Sequence, residues 1–132
     1  MKAWNLRLPF PPSVNGYWRS ITNRRTGRPS QIISKKGRKF RTTAIQAIID
    51  QLPNHVPIAE KLAVHINFYP PCNRKRDIDN YIKAAFDALT HAEFWIDDNQ
   101  VDEIRIVRKP KDESGKGMLT LMITEKVEGE KK

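Results

Sequence analysis

The chain has 132 residues, 39% hydrophobic and 30% charged, which suits one folded domain with a single core. No apolar run is long enough to span a bilayer as a helix, the opening residues lack a signal peptide's apolar segment, and Cys72 is the single cysteine, which excludes an internal disulfide; a reducing cytoplasm is expected. The formal charge of +9 is uneven: residues 1–50 carry eleven Lys/Arg against one acid, Asp50, and residues 51–132 carry thirteen against fourteen acids, which points to a polyanion met mainly by the first half.

Residues 3–8 alternate Trp4, Leu6 and Leu8 against Asn5 and Arg7 and predict a strand, stopped by Pro9-Phe10-Pro11-Pro12. Residues 13–30, rich in Asn, Gly, Ser, Thr and Arg, predict a long loop within a basic arm at about 13–38. Tyr17 and Trp18 in this arm suit either stacking on bases or anchoring to the core. Gln31, Ile32 and Ile33 fit a short strand or a turn. Ser34 can cap a helix whose first turn Gly37 weakens. Apolar residues at helical spacing predict that helix over 39–52, ended by Pro53 and Pro57. Residues 61–69 alternate as a half-buried strand, and Pro70-Pro71 opens a basic loop. A second helix is predicted from near Asp79 to His91. Residues 101–107 and 118–123 alternate and read as paired strands joined by a polar turn at 111–117. Residues after Glu125 are expected to be frayed. The expectation is a single α+β domain over 1–132, of order β-α-β-α-β-β, with a mixed sheet and two helices packed on one face.

The chemistry concentrates between Arg74 and Gln100. Asp77 and Asp79 share a face if the chain is still extended there, and they diverge by about 200° if the helix has begun. Two such carboxylates suit a divalent cation. Equally, one can cap the helix while the other complements its dipole. Lys83 lies one turn beyond Asp79, placed for a salt bridge or for a phosphate oxygen. Asp97 and Asp98 form a second acidic pair where nothing downstream reads as helical, so a capping role is not expected, and a surface turn is the bland alternative. Arg74, Lys75 and Arg76 either balance these acids or draw a phosphate toward them. His55, His65 and His91 share no metal-ligand spacing, and Cys72 reads as a buried or bystander residue.

These segments resemble the RusA family of Holliday-junction resolvases. The likeness rests on Leu8-Pro9-Phe10-Pro11-Pro12-Ser13-Val14-Asn15, on Arg76-Asp77-Ile78-Asp79-Asn80 followed by Lys83-Ala84-Ala85-Phe86-Asp87-Ala88-Leu89, and on Phe94-Trp95-Ile96-Asp97-Asp98-Asn99-Gln100-Val101 running into Arg105-Ile106-Val107-Arg108-Lys109. The resemblance implies a homodimeric, Mg²⁺-dependent endonuclease that cuts four-way DNA junctions by paired nicks, with a sequence preference at the cut. It implies Asp77, Asp79 and Asp98 as metal-binding and catalytic carboxylates, with Asp97 a less certain ligand, and Lys83 as the catalytic lysine. Arg24, Arg25, Arg28, Lys35, Lys36, Arg38, Lys39, Arg74, Lys75 and Arg76 are the expected contacts to the DNA backbone. The competing reading is a non-catalytic basic nucleic-acid-binding protein whose acids cap a helix and balance charge.

Overall fold

The computed structural model describes residues 2–126. Strand β1 (Ala3–Pro9) leads through a proline segment to a one-turn helix, α1 (Val14–Tyr17), and then to a hairpin of β2 (Trp18–Thr22) and β3 (Pro29–Ile33). Helix α2 (Lys35–Gln51) and strand β4 (Leu62–Tyr69) follow. A 3-10 turn over Ile78–Tyr81 opens helix α3 (Ile82–His91), and a second over Asp98–Gln100 opens β5 (Val101–Arg108), before β6 (Met118–Glu125). The expected β-α-β-α-β-β series is present, with α1 and the hairpin inserted after its first strand. The expected fraying after Glu125 lies, beyond Lys126, outside the described residues.

The four long strands form a mixed sheet in the order β1-β6-β4-β5. Here the sequence reading is corrected: β5 and β6 do not pair with each other. Strand β5 runs parallel to β4, and β6 lies antiparallel between β1 and β4. The β4-α3-β5 unit is a parallel crossover, which needs a helix-length connection and so sets β5 on the outer side of β4. The polar turn is therefore a link across the sheet end, pinned by the Asp112 amide on the Pro70 carbonyl. Leu6, Leu8, Leu62, Val64, Ile66, Phe68, Leu119, Leu121 and Ile123 form the buried face, closed by Phe40, Ala44 and Ile48 of α2 and by Ala85, Ala88 and Leu89 of α3.

The predicted loop is also corrected. Residues 18–33 alternate too little for strands to be read from periodicity, yet their backbones pair from Trp18↔Ile33 to Thr22↔Pro29. The tip is shaped by the Asn23 side chain, which accepts from the Arg25 and Thr26 amides, and by Gly27 at φ +71°. Ser34 caps α2, accepting from the Gly37 amide at 2.9 Å, so the helix starts four residues earlier than its apolar stripe. Gly37 is required by packing: a Cβ there would lie 2.5 Å from the Tyr17 carbonyl oxygen. Gly37→Ala is expected to cost about 1–3 kcal/mol, measured by denaturant unfolding, because the obstructing atom is backbone.

The two free sheet edges differ. On β1, the Gln51 side chain closes a reciprocal pair with the Arg7 backbone, accepting from its amide at 2.8 Å and donating to its carbonyl at 2.7 Å. On β5, no side chain among the described residues bonds to the outward backbone, and Ile104 is 48% exposed.

Candidate active site

Strand β4 ends at Tyr69, and the next eight residues form an irregular basic loop that delivers Asp77 in extended backbone (φ −90°, ψ 117°). The 3-10 turn then carries Asp79, and the α-helix proper begins at Ile82. Asp77 makes no capping hydrogen bond, so that bland role is not taken. Among the described residues neither carboxylate has a hydrogen-bond partner or a cation within 4.0 Å, and both are exposed. Lys83 stands exposed in the first turn of α3 without an acidic partner at that distance. Three charged groups held on short, ordered backbone and left unpaired are available to a ligand.

The loop walls a cleft of about 560 Å³ lined by Asn73, Arg74, Lys75, Arg76, Asp77 and Arg108. Arg76 is fixed: its Nη1 donates to the Cys72 carbonyl at 3.0 Å, its Nη2 reaches the Cys72 sulfur at 3.3 Å, and its guanidinium lies 5.6 Å from the Phe10 ring centre. Arg108, at the end of β5, donates to the Arg76 carbonyl at 2.8 Å and stacks over Phe68. Cys72 is exposed rather than buried, and hydrogen bonds from Arg74 and Arg76 lower its thiol pKa. None of Arg74, Lys75 or Arg76 pairs with a carboxylate among the described residues, so mutual charge balancing is not what places them beside Asp77.

Asp98 lies elsewhere in the chain, so the three aspartates expected to bind one ion do not meet within one protomer. The parallel register sets Leu62 beside Val101 and Phe68 beside Arg108. Asp98 precedes Val101 at one end of the sheet, where Gln100 donates to the Ile58 and Glu60 carbonyls. Asp77 lies past the other end, beside Arg108. Eight-residue strands at about 3.3 Å per residue separate these ends by roughly 23 Å. Accordingly, among the described residues no three His, Cys, Asp or Glu side chains are close enough to share an ion.

Compared with known proteins, the model of the family described as Endodeoxyribonuclease RusA matches residues 9–124. The chain belongs to the RusA family. It is 41% identical over 125 residues to the crossover junction endodeoxyribonuclease RusA of Shigella sonnei and 40% identical over 125 residues to that of Escherichia coli K12. It is 40% identical over 126 residues to that of Enterobacteria phage HK97; each alignment covers 95% of this chain and 97% of the relative.

Within this RusA chain the second acidic pair divides its labour. Contrary to the sequence reading, Asp97 does cap: its carboxylate accepts from the Asp98 amide at 2.8 Å, while the Gln100 side chain accepts from the Asp97 amide at 2.8 Å. A three-residue turn leaves no periodicity to read, although Asp three residues before Gln is a capping-box spacing. Asp98 has no side-chain partner among the described residues. The remaining expected DNA contacts lie on the hairpin and on α2. Arg24, Arg25 and Arg28 lie at the hairpin tip, and Lys35, Lys36 and Lys39 are exposed on the first turns of α2. Arg38 is partly engaged, donating to the Ile33 carbonyl at 3.0 Å. Sequence reasoning missed Arg108 and Phe10, because only the parallel β5 and the folded proline segment bring them to Arg76.

Tyr17 anchors the RusA arm. It is fully buried and donates its hydroxyl to Asp87 of α3, which also takes Arg41 Nη2 at 2.9 Å and His91 at 3.5 Å. Burial, reinforced by the Asp87 carboxylate, pushes the phenol up to about 12. Between pH 10 and 12 the unfolded chain gives up this proton while the folded chain keeps it, so stability falls as pH rises through that window. Tyr17→Phe is expected to flatten this alkaline decline, followed as unfolding free energy at pH 8 to 11.5.

Proposed function

We propose that the protein is a Mg²⁺-dependent crossover junction endodeoxyribonuclease, acting in the cytoplasm as a homodimer that resolves four-way DNA junctions by paired nicks. The observation that carries this reading is exposed, unpaired Asp77 at the wall of a cationic cleft, with exposed, unpaired Asp79 two residues on, in a chain of the RusA family. Hard carboxylate oxygens with no competing partner fit Mg²⁺, which keeps most of its waters and needs only a few protein ligands. Asp77 and Asp79 of one protomer would hold it with Asp98 of a second copy. When bound, the ion supplies activation of the attacking water and charge neutralisation at the phosphate.

The residues of this chain do the rest. Arg74, Lys75, Arg76 and Arg108 draw the strand into the cleft and hold its phosphates. Lys83, free at the start of α3, donates to an oxygen that gains charge as the phosphodiester is cut. The lysines of α2 and the arginines of the hairpin hold the flanking duplex arms without reading sequence.

The dimer follows from Asp98. The β1 edge is occupied by Gln51, whereas the β5 edge is open. Strand β5 is acidic in its first half (Asp102, Glu103) and basic in its second (Arg105, Arg108). Antiparallel self-pairing centred on Ile104 therefore sets Glu103 opposite Arg105, the kind of pair that stabilises adjacent strands. That pairing brings Val101 of one protomer opposite Val107 of the other, and Asp98 toward the partner's Asp77 end. The two-fold then carries two complete sites, one per strand of a two-fold symmetric junction.

Incubation with labelled four-way junction, linear duplex and single strands, with Mg²⁺ or with EDTA, tests the reaction. Symmetric paired nicks confined to the junction and to the Mg²⁺ samples are expected. Tight junction binding with no nicking in Mg²⁺ would instead make the protein a non-catalytic binder.

A further inference from the structure

On the far side of Arg74 and Arg76 from Asp77 lies a second cleft of about 450 Å³, within the range that holds a single small ligand. Its character differs from the first. Phe10 and the prolines on either side of it, with Pro71, give flat apolar walls, while Lys36 and Lys39 of α2 and Arg74 of the loop stand at its rim, all three exposed. Its floor is open because Gly16 has no side chain: a Cβ there would meet Pro12 and Ser13 at 3.6 Å and Lys36 at 3.9 Å, which is ordinary contact. Arg76 also lines the cleft, its guanidinium held in place by the Cys72 carbonyl and sulfur.

Flat apolar walls beside clustered cations suit a planar ring carrying a phosphate. We propose that this cleft takes one unstacked nucleotide of the junction strand, next to the phosphate to be cut, with its phosphate on Lys36, Lys39 and Arg74 and its base against Phe10. This rests on the junction-nuclease reading and adds a reason for structural choice. A base in linear duplex must break both stacking and pairing to enter, whereas a base at a strand crossover has already lost part of its stack and enters at lower cost. Because Arg74 and Arg76 line both clefts, filling this one holds the next phosphate against Asp77.

The test has two arms. In the first, the full chain without metal is titrated with dTMP, with deoxythymidine and with inorganic phosphate, while amide shifts are followed by NMR. dTMP is expected to move the Gly16, Lys36 and Lys39 amides and to bind at least fivefold more tightly than either fragment. Inorganic phosphate binding as well as dTMP would reduce the cleft to a cationic patch and overturn the proposal. In the second arm, Gly16→Leu fills the floor and Thr43→Trp fills the cleft from α2, neither removing a charge; Gly16→Ala is the control. Either filled variant that keeps the native amide spectrum is expected to lose dTMP binding tenfold. It is also expected to nick the junction at least tenfold more slowly at saturating DNA, with junction affinity within threefold. Unchanged dTMP binding and nicking in a folded filled variant would overturn the proposal. Should the unmodified protein fail to nick any junction, the nuclease reading falls, while the dTMP arm still decides the cleft.

Discussion

Asp77→Asn, Asp79→Asn and Asp98→Asn are each expected to lower Mg²⁺-dependent junction nicking on the order of a thousandfold or more, since in the proposed site each removes a hard oxygen ligand and part of the charge that would hold the ion. Junction affinity should survive or rise, because each change removes a negative charge close to bound phosphates. The placement of Asp98 makes a sharper expectation available. Asp77→Asn protein and Asp98→Asn protein, each inactive alone, should regain activity when unfolded together and reassembled. In a mixed dimer one site receives both substitutions and the other receives neither. Random reassembly leaves about a quarter of all sites intact. Those dimers should nick one strand without its partner, read as nicked junction without resolved duplex. If Asp98 served Asp77 and Asp79 of its own chain, no mixture would recover anything. Normal cutting by all three variants would remove the carboxylates from the mechanism altogether.

The elements that carry strong periodicity were legible before any coordinates. Strands β1, β4 and β6 and the apolar stripes of α2 and α3 lie where alternation and helical spacing put them. What escaped depends on partners distant in sequence. The β2–β3 hairpin is short, mostly exposed and polar, so nothing in its pattern distinguishes it from a loop; its strands are defined by pairing with each other. The placement of β5 beside β4 rather than β6 is a matter of connection handedness, which alternation does not encode. The grouping of Asp77, Asp79 and Asp98 came from the family resemblance, which does not say whether one chain or two supplies them. Their residue types and spacing pointed to metal chemistry, and the distance between them did not follow from spacing. Asp97 and Asp98 show the same limit at closer range. Adjacent and identical in type, they are separated in role by a three-residue turn that uses one as its cap.

Ile104→Glu is expected to convert the protein to a monomer and, with every aspartate and Lys83 intact, to abolish junction nicking. The residue is 48% exposed on the open β5 edge, so the substitution leaves the fold of the single chain within about 0.5 kcal/mol of its original stability. In the proposed antiparallel dimer, centred on Ile104, it would sit at the two-fold, where a pair of new carboxylates would face each other across the centre and lose water with no cation opposite; like charges placed opposite on paired strands are destabilising, and an unpaired buried charge is far more so. Light scattering after size-exclusion chromatography reads the mass, and the labelled junction reads the activity. The two should fall together, because a lone protomer presents Asp77 and Asp79 past one end of the sheet and Asp98 past the other. A folded Ile104→Glu protein that remains dimeric and cuts at the original rate would show that the copies meet elsewhere. A monomer that cuts at the original rate would show that one chain suffices, against the separation that the parallel register imposes.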